Sequence, residues 1–192
     1  MSGRKKLGAL FMAAILLFAL DVTRPTEAYY TVTGTATNVV TSGSIKLKIH
    51  EQTKDGEPFP SQGIRVYPGD KVSKEVTVEN TCGQPFYLRI RLTNGVEKLI
   101  MSTEEVFAFD LNTADWTLHE DGCYYYNHIL QPGQRTSHLF KEVELVRQKV
   151  AGRFNGHTLT LTVTADAVQS KNNPADHPWL AQGWPETEGG QA

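Results

Sequence analysis

Six histidines, His50, His119, His128, His138, His157 and His177, are the side chains of this sequence best suited to hold a metal or move a proton. None lies in an HExxH motif, and no pair stands four residues apart on a helical pattern, so the usual zinc-protease arrangement is missing. His119 and His128 flank one hairpin beside Glu120 and Asp121, which leaves a surface metal site open there, against the plainer reading of solvated turn residues. Ser137 and His138 are chain neighbours, whereas a nucleophilic serine receives its base from another part of the fold. Asp55 and Glu57 sit in a loop of the kind that takes calcium, without the spacing of a calcium loop. No GxSxG and no phosphate-cradling glycine loop is present. These residues assign no catalytic group, no metal and no cofactor.

The two cysteines, Cys82 and Cys123, both stand beside turn signals. An oxidising compartment would permit one disulfide between them and a reducing one would leave two free thiols. Bridging also requires their Cα atoms to approach closely, which spacing alone does not decide.

The elements that would position such groups are strands. Val66 to Gly95 carries two of them with their turns. From Val72 the even positions Val72, Lys74, Val76 and Val78 form one face and Ser73, Glu75, Thr77 and Glu79 the other, with Lys74 the single polar residue on the apolar side. Phe86, Leu88, Ile90 and Leu92 alternate with Tyr87, Arg89, Arg91 and Thr93, the pattern of an antiparallel strand with one solvated face. Pro68-Gly69 suits a type II turn and Asn94-Gly95 a hairpin. Further strands are expected over Tyr29–Val40, around Ile45, Leu47 and Ile49, at Ile64 and Val66, at Trp116 and Leu118, over Cys123–Asn127, at Val143 and Leu145, and over Thr158–Val168. The consecutive rings of Tyr124, Tyr125 and Tyr126 fall on both faces of their strand, so one is expected at the surface. Glu51 to Gln62, with Asp55-Gly56 and two prolines, reads as an exposed loop, and Thr103 to Phe109 as a short helix. The count of eight to ten strands, with at most one or two short helices, predicts an all-β fold: a single β-sandwich of jelly-roll or immunoglobulin-like type.

Three segments follow. Residues 1–28 resemble an export signal: Arg4, Lys5 and Lys6 precede an uncharged apolar run from Leu7 to Leu20, shorter than the roughly 20 residues of a membrane span. Small residues at Thr26 and Ala28 place cleavage between Ala28 and Tyr29, with an uncleaved anchor as the alternative and the only membrane contact. Residues 29–169 form the sandwich, and 170–192 a polar tail rich in Pro and Gly, ordered at most where Trp179 and Trp184 dock. The chain carries a formal charge of −2, and the signal holds four basic against two acidic residues, so the remainder is more acidic still and gives no reason to expect nucleic-acid binding.

An exported sandwich whose first strand follows the cleavage site has a free end that can complete a neighbour's sheet, with Tyr30, Val32, Gly34 and Ala36 on the less polar side of that strand. Pairing of the same strand within its own domain is the alternative. The stretches Ala28-Tyr29-Tyr30-Thr31, Thr41-Ser42-Gly43-Ser44-Ile45-Lys46-Leu47, Tyr67-Pro68-Gly69-Asp70-Lys71 with Val76–Asn80, and Phe154-Asn155-Gly156 before Leu159–Gln169 resemble the TasA and camelysin group of exported Gram-positive proteins. The resemblance implies a jelly-roll-like fold, processing by a dedicated signal peptidase, and biofilm-matrix fibres built by donation of residues 29–39. It also brings the description of camelysin as a surface metalloprotease, which would make proteolysis depend on His119 or His128. The expected function is thus a secreted, non-enzymatic structural protein of the cell surface or matrix. Its expected partners are itself, other exported matrix proteins and, during export, a signal peptidase. The alternatives are a camelysin-like protease and a monomeric surface module binding through Tyr124, Tyr125 and Tyr126.

Overall fold

A computed structural model describes residues 30–38, 45–96, 99–101, 106–150 and 158–186. The expected export signal over residues 1–28, the expected cleavage between Ala28 and Tyr29, and the stretch Phe154-Asn155-Gly156 lie outside the described residues. The fold is all-β and sandwich-like, with twelve strands among the described residues.

The first layer is a mixed sheet in the order β3 (Ile64–Val66), β1 (Tyr30–Asn38), β12 (Thr158–Gln169), β6 (Phe86–Val96), β10 (Cys123–Tyr126), β9 (Trp116–Leu118), with β7 (Leu99–Met101) pairing to the far end of β6. Its backbone is the antiparallel β6–β12 ladder, in register from Phe86↔Gln169 to Val96↔Leu159. The alternation of both strands supplies the reason: Phe86, Leu88 and Ile90 on one, and Leu159, Leu161 and Val163 on the other, are all fully buried in one core. Asn94-Gly95 is not a turn but part of this strand, with Gly95 opposite Thr160 and Ile100. Two partners on either side outweigh the local turn preference.

The second layer contains β2 (Leu47–Gln52) paired with β5 (Glu75–Asn80), and β4 (Lys71–Ser73) paired with β11 (Glu142–Leu145) and β8 (Phe107–Phe109). Backbone bonds from Thr136 to Val78, Leu139 to Val76 and Lys74 to Lys141 carry the ladder between the two groups. Ile45, Leu47 and Ile49 turn into the core while Lys46 and Lys48 face solvent, as alternation predicts. The Tyr67–Asp70 turn has the expected glycine with φ 93° at Gly69.

Three local expectations are corrected. The single strand from Val72 to Glu79 is two strands in different ladders, broken at Lys74, whose side chain is fully buried. Of the helix expected over Thr103–Phe109, residues 103–105 lie outside the described residues, Val106 is helical, and Phe107–Phe109 is strand β8, where Phe109 packs 4.8 Å from Phe140, ring to ring. The loop after Glu51 is not simply exposed: Phe59 donates its backbone N–H to Glu51 and buries its ring. The helices described are α1 (Arg147–Val150) and a 3-10 turn at Pro178–Leu180, and among the described residues no helix is long and apolar enough to cross a membrane.

Candidate functional site

The N-terminal strand occupies a slot in the sheet of its own chain, which is the own-domain pairing given above as the alternative to donation. β1 runs parallel to β12 from Thr31↔Thr158 to Asn38↔Ala165 and antiparallel to β3 from Tyr30↔Val66 to Val32↔Ile64. The residues singled out for donation take definite places in it: Tyr30 opposite Val66, Val32 between Leu159 and Ile64, Gly34 opposite Leu161 and Ala36 opposite Val163. Leu159, Leu161, Val163 and Ala165 of β12 are fully buried. The slot is therefore the backbone edge of a strand whose side chains anchor the core. Without β1, β12 presents unpaired N–H and C=O groups along that edge, and β3 loses the strand that joins it to the sheet.

On the outer face of the same sheet lies a polar cluster that spacing did not reveal. Arg89, on the face of β6 read as solvated, is 3% exposed. Its Nε donates to Asp166 Oδ2 at 2.9 Å, its Nη1 to Asp121 Oδ2 and to the Tyr125 hydroxyl at 3.3 Å each, and its Nη2 to the Pro185 carbonyl at 2.6 Å. The Tyr125 hydroxyl donates to Asp121 Oδ2 at 2.7 Å. The indole of Trp184 covers the guanidinium, 5.0 Å away, and stands edge-on to Tyr125. Trp179 stacks on His177 with centroids 4.4 Å apart and on His119 at 5.4 Å. Trp179 and Trp184 dock as expected, and the order extends beyond them: the segment from Ser170 to Glu186 is a clasp packed on Tyr87, Val168 and Arg89, while residues 187–192 lie outside the described residues.

Electrostatics follow from this enclosure. Burial pushes the Tyr125 hydroxyl up to about 12, with Asp121 adding to the rise and Arg89 opposing it. Burial would also raise Asp121, but bonds from the Tyr125 hydroxyl and the Cys123 amide, and the charge of Arg89, hold its carboxyl below the ordinary range. Burial alone would lower Arg89; its bonds to Tyr125 and Asp166 more than offset that. The cluster is a satisfied charge network with its reactive atoms all engaged, suited to fastening the clasp.

The remaining candidates are not brought together. His119 and His128 sit at opposite ends of the β9–β10 hairpin, beside Asp121 and Asp115 respectively. Cys123, opposite His119, and His128 are separated by roughly 17 Å of extended chain, too far for one metal to join the histidines. Among the described residues no three His, Cys, Asp or Glu side chains group to hold a metal. His138 pairs with Glu75 at 2.9 Å, while Ser137 bonds the Asp115 carboxylate, so no histidine acts as base on the serine. Tyr124 and Tyr125 are buried on opposite faces and Tyr126 is half-buried against Trp116, which corrects the expectation of an exposed ring.

The Cys82–Cys123 bridge is not made: both thiols are free. Cys82 precedes Phe86 at one end of β6, and Cys123 pairs with Arg91, about five residues or roughly 17 Å along the strand, well beyond bridging reach. Compared with protein-family models, with curated proteins and with solved structures, the chain matches none.

Proposed function

We propose that this chain is an exported structural protein of the cell surface or extracellular matrix that assembles head-to-tail, the strand Tyr30–Asn38 of one copy entering the slot between β12 and β3 of the next. The observation that carries the reading is the slot itself. β1 contributes main-chain pairing to both neighbours, and the same ladder forms whichever copy supplies the strand. The export-like residues 1–28 place this strand at the free end of a processed chain. The resemblance of the Ser-Gly and Pro-Gly-Asp-Lys stretches to the TasA and camelysin group agrees with it.

The test compares two purified forms at equal concentration, one beginning at Tyr29 and one at Gly43, by light scattering and electron microscopy. Filaments from the longer form and a folded monomer from the shorter support strand donation. Monomers from both forms sink it.

A further inference from the structure

Lys74 marks the break between β4 and β5, and its side chain is shut from solvent, at 0% exposed. Its Nζ stands 2.7 Å from Glu51 Oε1 and 4.1 Å from the centroid of the Phe59 ring. Neither Nζ nor Oε1 has an aligned hydrogen bond, although the two atoms touch. The surroundings are mostly apolar: Val66, Val72, Phe107, Val143 and Leu145, with Asp70 the one acidic side chain, line a cavity of about 10 Å³ beside the amine, room for about one water. The chain after Glu51 folds back, with Phe59 N–H donating to Glu51 O at 2.9 Å, and so lays the phenyl ring over the amine.

An ammonium and a carboxylate enclosed in this way lose most of their hydration, and their attraction replaces it only when good hydrogen bonds satisfy both groups. Here the 2.7 Å contact between Nζ and Oε1 is poorly aligned. Moving one proton from Nζ to Glu51 removes both charges and leaves a neutral amine against a neutral carboxylic acid. Burial lowers the Lys74 pKa against the opposing pull of Glu51, which favours the neutral amine. An amine and an acid held in contact away from water are the two reactants of amide formation, already positioned.

We propose that Lys74 and Glu51 form a covalent modification site at which the folded chain closes an internal amide cross-link between Lys74 Nζ and Glu51 Cδ. The Nζ lone pair attacks Cδ, and the tetrahedral adduct expels one carboxyl oxygen as hydroxide, which leaves as water with a proton from the nitrogen. One N–C bond forms, one C–O bond breaks, nothing is oxidised or reduced, and no co-reactant is consumed. The adjoining cavity accommodates the departing water, and Phe59 keeps bulk water from reversing the step. The product ties β2 to the β4–β5 junction, joining the two ladders of the second layer.

The test is intact-mass measurement of the purified, denatured protein, its N-terminus established by sequencing, followed by peptide mapping. The expected mass is one water below that of the sequence, with a branched peptide joining the Glu51 and Lys74 segments and no tryptic cut after Lys74. Glu51→Ala and Lys74→Met each restore the sequence mass. A wild-type protein at full mass, with Lys74 and Glu51 on separate linear peptides, overturns the proposal, and this result does not depend on either variant folding. A loss of one water with a branch to Asp70, which lines the same cavity, would also overturn the assignment to Glu51.

Discussion

At the scale of single residues, Arg89 is the charge whose surroundings most affect stability. Asp166→Ala leaves the guanidinium buried with one carboxylate fewer, and such a broken pair costs about 3 kcal/mol, readable as a lower urea midpoint. Tyr125 gives a pH dependence of known sign. Its hydroxyl titrates near 10 when the chain is unfolded and at about 12 when folded, so the folded state holds the proton more tightly. The stabilisation is whole below pH 10 and is lost as pH rises toward about 12, by about 3 kcal/mol. Tyrosinate absorbance of the native protein should include a component near pH 12 that Tyr125→Phe removes. The thiols divide as well. Cys82, half-buried, should react with a thiol reagent in the native protein, while Cys123, buried and with its thiol pKa pushed up by burial, should react only after unfolding. The alternation of β6 placed Arg89 correctly on the face away from the core. What it could not show is that Asp166, 77 residues later, and the Pro185 carbonyl would close over that face.

At the scale of elements, the strands read best were those whose period is uninterrupted and whose partners share it. β6 and β12 are the clearest, since every second residue of each enters one core. The residues 72–79 misled for a specific reason: Lys74 keeps the period of its neighbours while the regular ladder to β11 gives way there to separate bonds with residues 136–141, and β2 joins as a second partner. Local pattern reports which way a side chain points, not which strand lies beside it. The clasp was hidden for the opposite reason. Ser170–Glu186 is polar and rich in Pro and Gly, and its order comes from a few aromatic and main-chain contacts with residues far away in the chain. Trp184→Ala removes a ring packed on both Arg89 and Tyr125 and should lower stability by about 2 kcal/mol in chemical denaturation. Near-ultraviolet circular dichroism should lose the corresponding signal.

At the scale of the whole molecule, the sandwich is complete only when its slot is filled. A peptide of residues 29–39 added to the form beginning at Gly43 should raise its Tm in proportion to the logarithm of peptide concentration, measured by differential scanning fluorimetry. A scrambled peptide of the same composition should not. The direction of β1 has a mechanical consequence. Because β1 is parallel to β12, a pull on its C-terminal end, where a donated strand joins the rest of its own copy, against the N-terminal end of β12 acts along both strands, in opposite senses. The bonds spread from Thr31↔Thr158 to Asn38↔Ala165 then bear the load together in shear. A hairpin such as β9–β10, pulled apart at its open ends, would instead peel one pair at a time. A joint made through this slot would be strongest against a pull directed along its strands.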